Sequence, residues 1–166
     1  MIRSLRNSLN QTPSLCIRAI NQMASEFLYV KEQTPEICMA AVQKDGLMLK
    51  HIKEQTYHLC MAAVLQNGLA LEYVKEQTPE ICMAAVKQNG YSIQYVKDKS
   101  DERLLVEAVL KDGLVLKYIE NQTEYICEVA VQQNGLALEY VKNQTNPICT
   151  MAIRQNIKAS KLIGFV

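Results

Sequence analysis

The chain has 166 residues, 49% of them hydrophobic and 21% charged, with a formal net charge of +1. That balance excludes a disordered polar chain, and with no apolar run of about eighteen residues the sequence holds no candidate membrane span. A charge so near zero gives no electrostatic reason to expect a polyanion or a membrane surface as partner.

The first stretch carries Arg3, Arg6 and Arg18 and no acid before Glu26, a composition that superficially suits a transit peptide. Residues from Gln11 to Val30, however, already keep the register of the repeat that follows, so residues 1–11 are read as an N-terminal cap. In "SLRNSLNQ", Asn7 and Ser8 stand where later units have Tyr and Val. No secretory signal is visible.

From Thr12 onward one unit of 22 residues runs through the chain. Thr12, Thr34, Thr56, Thr78, Asp101, Thr123 and Thr145 share one position, separated by 22, 22, 22, 23, 22 and 22 residues, and "YVKEQTPEICMAAV" occurs twice letter for letter. Periods this short and regular predict stacked units. The single longer spacing comes from one extra residue in "KDKSD", where either Ser100 or Asp101 has the chemistry of a cap.

Each unit opens as a helix should. The Thr or Asp side chain can accept a free backbone N–H, and Pro35 and Pro79 stand at the first helical position. Glu36, Glu80, Glu102 and Glu124 then bring negative charge to the first turn. Ile37, Cys38, Ala41 and Val42, with their equivalents in other units, form one apolar stripe. Alanine at 19, 41, 63, 85, 108, 130 and 152 predicts a close helix crossing there. The helix is expected to end in a left-handed exit at Gly46, Gly68, Gly90, Gly113 and Gly135, each preceded by Asn or Asp.

A second short segment follows each glycine, as in "LMLKHI", "LALEYV", "YSIQYV" and "LVLKYI". As a strand it would make a leucine-rich horseshoe; as a helix it accounts for Val74, which strict alternation would place on the side of Glu72. The helix is preferred. Segments of this length are marginal alone, so the units must complete one another by stacking. The expected fold is an all-α alpha-solenoid of about six 22-residue helix-turn-helix repeats with degenerate ends. Residues 12–153 form the repeats of one array domain, 1–166, and residues 154–166 the C-terminal cap, whose apolar "LIGFV" offers an edge for self-association.

With these residues in place, the chain resembles a family of uncharacterised tandem helical repeats, a domain of unknown function found in giant DNA viruses, some bacteria and protists. Its units read "D-x-E-x-V-x-x-A-V-x-x-N-G-x-A-L-x-Y", which "DERLLVEAVLKDGLVLKYI" at Asp101 to Ile119 matches most fully, and the resemblance runs from Gln11 to Ile153. It implies an all-helical array and brings no activity, cofactor or catalytic residue. The chain departs from it in using Thr for the opening Asp and Cys for an aliphatic residue. The viral distribution implies host cytoplasm or a virion as one setting.

Chemistry is sparse. Cys16, Cys38, Cys60, Cys82, Cys127 and Cys149 occupy one position per unit, and Leu105 fills the seventh, so the cysteines read as small hydrophobes suited to a reducing, cytoplasmic compartment. Neither His51 nor His58 forms a recognisable catalytic pair, and each Asn-Gly ends a helix instead of opening one, so no phosphate loop exists. No enzyme activity, metal or cofactor is expected. Tyr29, Tyr73, Tyr95, Tyr118 and Tyr140 form a ladder that reads as packing, and Lys31, Lys53, Lys75, Lys97 and Lys142 a ladder offset by neighbouring acids. In the second segment Lys50, Glu72, Gln94, Lys117 and Glu139 change character while their framework does not, as a partner-specific face would. The expected function is a non-enzymatic scaffold for a protein partner of unknown identity. A nucleic-acid-binding repeat protein and a structural component of a larger particle are the alternatives.

Overall fold

A computed structural model describes residues 4–164. Met1 to Arg3 of the expected N-terminal cap, and Phe165 and Val166 of the apolar C-terminal edge, lie outside the described residues. The chain is 71% helix, in helix-turn-helix units about 22 residues apart, with no strand among the described residues. It divides into two compact units, residues 1–88 and 89–166.

The first unit holds α1 (Pro13–Gln22), α2 (Pro35–Lys44), α3 (Tyr57–Gln66) and α4 (Pro79–Gln88). Short 3-10 helices follow the first three, at Ala24–Tyr29, Gly46–His51 and Gly68–Tyr73. Each α-helix packs on the next, and each 3-10 helix on the helices beside it. Before α1, a three-residue 3-10 turn at Leu5–Asn7 buries Leu5 completely. It is tied down by the Glu26 carboxylate, which accepts the Leu5 N–H at 2.6 Å and the Ser4 hydroxyl at 3.1 Å.

The second unit begins with a 3-10 helix at Gly90–Tyr95 and continues through α5 (Glu102–Lys111), α6 (Glu124–Gln133) and α7 (Asn146–Gln155). Their 3-10 partners lie at Gly113–Tyr118, Gly135–Tyr140 and Ile157–Leu162. The extra residue in "KDKSD" is absorbed before α5: Asp101 takes the capping role by accepting the Arg103 N–H at 3.0 Å, and Asp98 accepts the Ser100 N–H at 3.0 Å.

The threonine caps work through one geometry. Thr34 Oγ1 accepts the Ile37 N–H at 3.4 Å, Thr56 the Leu59 N–H at 3.3 Å, Thr78 the Ile81 N–H at 3.4 Å and Thr123 the Ile126 N–H at 3.3 Å. Thr145 is the exception: it holds the N-cap position of α7 without a side-chain bond, and its buried hydroxyl has no partner.

The second segment is a helix, but a tighter one than an α-helix. The Ala70 N–H bonds to the Asn67 carbonyl at 2.9 Å and the Val74 N–H to the Leu71 carbonyl at 3.2 Å, the i to i+3 pattern. Three residues per turn place Gly68, Leu71 and Val74 on one buried face, which explains Val74 where alternation fails.

The expected left-handed exits are not there. The one positive φ among the described residues is at Gly164, so Gly46, Gly68, Gly90, Gly113 and Gly135 do not leave their helices that way. The turn is made by the residue before each glycine: Asn67, at φ −149 and ψ 110, lends its Oδ1 to the Leu69 N–H at 3.1 Å and caps the 3-10 helix. Glycine is needed for a different reason. A Cβ on Gly46 would collide with the Ala63 carbonyl oxygen, one on Gly113 with that of Ala130 and one on Gly135 with that of Ala152. A Cβ on Gly90 would stand 2.9 Å from the Ala108 oxygen. The alanine stripe is buried, and at Ala63, Ala108, Ala130 and Ala152 the previous repeat's glycine sits on the alanine carbonyl.

Candidate interaction surface

Around the buried apolar stripe, glutamines make many of the side-chain hydrogen bonds from one repeat to the next. Gln55, just before the cap Thr56, donates its Nε2 to the Tyr73 carbonyl at 2.9 Å and accepts the Lys75 N–H on Oε1 at 3.0 Å. It thereby satisfies both groups flanking Val74 in the next repeat. Gln11 does the same for Tyr29 and Lys31, Gln33 for His51 and Lys53, and Gln122 for Tyr140 and Lys142. Gln144 reaches Leu162 and Gly164 in the same way.

A second glutamine row, at the helix C-termini, points the opposite way. Gln66 accepts the Gly46 N–H at 2.7 Å, and Gln88, Gln133 and Gln155 accept those of Gly68, Gly113 and Gly135 at 2.6 Å each. Sequence reasoning centred on apolar periodicity passed over both rows. Their signal is plain in retrospect: Gln precedes the capping Thr at 11, 33, 55, 77, 122 and 144, and precedes Asn at 66, 88, 133 and 155.

The cysteines join the first row. All six are buried and unbridged, and the thiols of Cys60, Cys82 and Cys127 lie 3.6 to 3.7 Å from the Oε1 of Gln55, Gln77 and Gln122, as weak donors. Burial pushes the Cys16, Cys38, Cys60 and Cys127 thiols above their ordinary pKa, opposite to what a nucleophile needs. Cys60 is engaged with Gln55, whereas His58 is exposed with its ring edge-on to Tyr57. Burial and the adjacent Lys50 hold His51 below the usual imidazole pKa.

The lysine ladder also serves stacking. The ammonium groups of Lys31, Lys75 and Lys142 donate to the carbonyls of Ser8, Lys53 and Glu120 in the preceding repeat, at 3.3, 2.7 and 2.9 Å. Tyr73, Tyr95, Tyr118 and Tyr140 are half-buried, and Tyr29 is exposed.

The expected partner face is placed as follows. In the first unit Lys50 and Glu72 are exposed on their 3-10 helices; in the second, Lys117 and Glu139 are exposed and Gln94 is half-buried. Gln94 is turned inward, donating to the Tyr91 carbonyl at 3.1 Å. Lys117 lies against two aromatic rings, its Nζ 4.9 Å from the Tyr118 centroid and 5.6 Å from that of Tyr91. A hydrogen bond to Tyr118, with Tyr91 and Tyr140 nearby, pushes its pKa up.

Two further features were not anticipated. Equivalent grooves open beside the helix N-termini, one of about 330 Å³ over Gln33, Cys38 and Leu59, the other of about 200 Å³ over Gln122, Cys127 and Ile148. Both are rimmed by charges of mixed sign. In the second unit, Leu110 and Tyr125, 56% and 58% exposed, line an open cleft on α5 and α6 with Val106 and the charged Glu102, Arg103 and Glu107. Among the described residues no helix is long and apolar enough to cross a membrane, and no cluster of three or more potential metal ligands forms.

One family model matches the chain, Domain of unknown function (DUF4116), over residues 57–99 and again over residues 78–122. Each matched stretch spans about two repeats, which agrees with the 22-residue unit. Neither a curated protein nor a solved structure matches it.

Proposed function

We propose that the protein is a non-enzymatic helical-repeat scaffold that binds a protein partner through exposed charges on its 3-10 helices, the row being Lys50 and Glu72 in the first unit and Lys117 and Glu139, beside Gln94, in the second. The carrying observation is that these four charged side chains stand exposed on 3-10 helices that bury Leu49, Leu71, Leu116 and Leu138, with glutamines holding the Tyr73 and Tyr140 carbonyls at two of their ends. A rigid frame with changeable side chains recognises by charge and shape at little ordering cost.

The nucleic-acid alternative loses ground on the lysine ladder. A phosphate-binding strip needs uncompensated cations, and here Glu32, Glu54, Glu76 and Asp98 directly follow four lysines of the ladder while Glu120 takes the place of another. Binding to single-stranded RNA or duplex DNA is accordingly expected to be weaker than roughly 10 μM near physiological salt. The buried thiols suit a reducing compartment, and the viral distribution of the resembling family makes host cytoplasm or a virion the setting to search first.

The test is capture from the native source with the wild-type chain, with Glu72→Lys plus Glu139→Lys, and with Leu110→Ser plus Tyr125→Ser. Loss of a recovered protein with the first pair alone supports the row. Loss with the second pair alone moves the site to the cleft of Leu110 and Tyr125 on α5 and α6. Salt-sensitive recovery of RNA sinks the protein-binding reading.

A further inference from the structure

The chain contains three Asn-Gly pairs, Asn67-Gly68, Asn89-Gly90 and Asn134-Gly135. Their local structures are nearly superimposable. The asparagines lie at φ −149, −150 and −148 with ψ 110, 114 and 109, and all three are half-exposed. Each side-chain oxygen accepts the N–H two residues on, at 3.1, 3.0 and 3.0 Å. The following glycines are all buried.

One thing differs. The Gly68 N–H is held by Gln88 and the Gly135 N–H by Gln155, each at 2.6 Å. In the repeat after Asn89 the equivalent position is Lys111, whose Cβ lies 2.9 Å from where a Gly90 Cβ would stand. A lysine ammonium donates and has no acceptor, so Lys111 offers the Gly90 N–H nothing comparable.

We propose that Asn89 is a site of spontaneous deamidation, and that Gln88 and Gln155 shield Asn67 and Asn134 from the same reaction. The glycine nitrogen attacks the asparagine Cγ. The new N–Cγ bond forms as the Cγ–Nδ2 bond breaks, and ammonia leaves with the proton the glycine N–H gives up. Water then opens the cyclic imide to aspartate or isoaspartate. At Gly68 and Gly135 the attacking nitrogen must first abandon a short, part-buried hydrogen bond to a neutral amide oxygen, which is too weak a base to help remove the proton. At Gly90 the glutamine bond that would have to break is missing.

The two products differ in consequence. Aspartate keeps the cap, since Asp45 and Asp112 hold the same position and accept the Leu47 and Leu114 N–H groups at 3.0 and 2.9 Å. Isoaspartate lengthens the main chain by a methylene and destroys the turn. Asn89 would thus add a negative charge, or a local defect, with the age of the molecule.

The experiment is to incubate the full chain in mildly alkaline buffer and follow each pair by peptide mass mapping with isoaspartate detection. Asn89 should convert several times faster than Asn67 or Asn134. Lys111→Gln should slow it to their rate, and Gln155→Leu should bring Asn134 up to it. In denaturant the three rates should converge, since glycine follows each asparagine. Equal rates in the native chain, or the same rank order persisting in denaturant, would overturn the proposal, and these two comparisons need no variant to fold.

Discussion

Gln122 and Tyr140 are 18 residues apart in sequence, yet the Gln122 amide donates to the Tyr140 carbonyl at 2.8 Å while its oxygen takes the Lys142 N–H at 3.0 Å. Removing that side chain takes a donor from the part-buried Tyr140 carbonyl, while the exposed Lys142 N–H can turn to water. Gln122→Ala should therefore cost about 1 kcal/mol in urea unfolding, the ordinary net worth of an intramolecular hydrogen bond. Gln122→Glu, which keeps the acceptor and loses the donor, should fall between wild type and Ala. An unchanged Ala variant would show that the clamp is ornamental.

Gly113→Ala separates two accounts of the same glycine. If conformational freedom were the reason for glycine, alanine at this negative-φ position would be tolerated. The neighbouring Ala130 carbonyl instead blocks the Cβ, so overpacking should cost about 1–3 kcal/mol. Thermal unfolding of Gly113→Ala beside wild type decides between them.

Ser92 is fully buried with no partner for its hydroxyl, at the position held by Ala70 and Ala137 in other repeats. Ser92→Ala should stabilise by about 1 kcal/mol, the lower end of the penalty for an unsatisfied polar group. The same logic splits the caps. Thr123→Ala should lose about 1 kcal/mol, whereas Thr145→Val should lose nothing, because the Thr145 hydroxyl caps no N–H.

Glu36 and Glu80 carry pH dependence. Each carboxylate accepts its own backbone N–H and, secondarily, a hydrogen bond from Thr34 or Thr78, which hold it below the ordinary carboxylate pKa. A depressed folded-state pKa contributes stability above the unfolded value and loses it as pH falls through the folded one. Glu36→Gln plus Glu80→Gln should thus be less stable than wild type at neutral pH, with the gap closing in acid. In a carboxyl NMR titration, Thr34→Val should raise the Glu36 pKa. No movement would remove the threonine from the account.

The sequence by itself determined the unit, the all-helical class, the apolar stripe and the N-terminal caps, because these are local. A threonine three residues before a free N–H, a proline at the first turn and apolar residues one turn apart act within ten residues of chain. It could also weigh the second segment toward a helix, since Val74 broke the alternation a strand needs. Tertiary structure decided what reaches into the next repeat. Glycine after Asn67 looked like a left-handed exit, for that is the commonest local use of glycine, whereas a close approach such as that of Gly46 to the Ala63 carbonyl depends on an atom 17 positions away. The glutamines recur visibly with the repeat, but what they bond to was hidden for the same reason. A polar, exposed-looking residue carries no periodic apolar signal, and only when Gln55 lies beside the Tyr73 carbonyl does its amide become structural. Of the candidate face, exposure of Lys50, Glu72, Lys117 and Glu139 could be read from the helical pattern, but the Tyr91 ring 5.6 Å from the Lys117 ammonium comes from the preceding repeat and required neighbours in space.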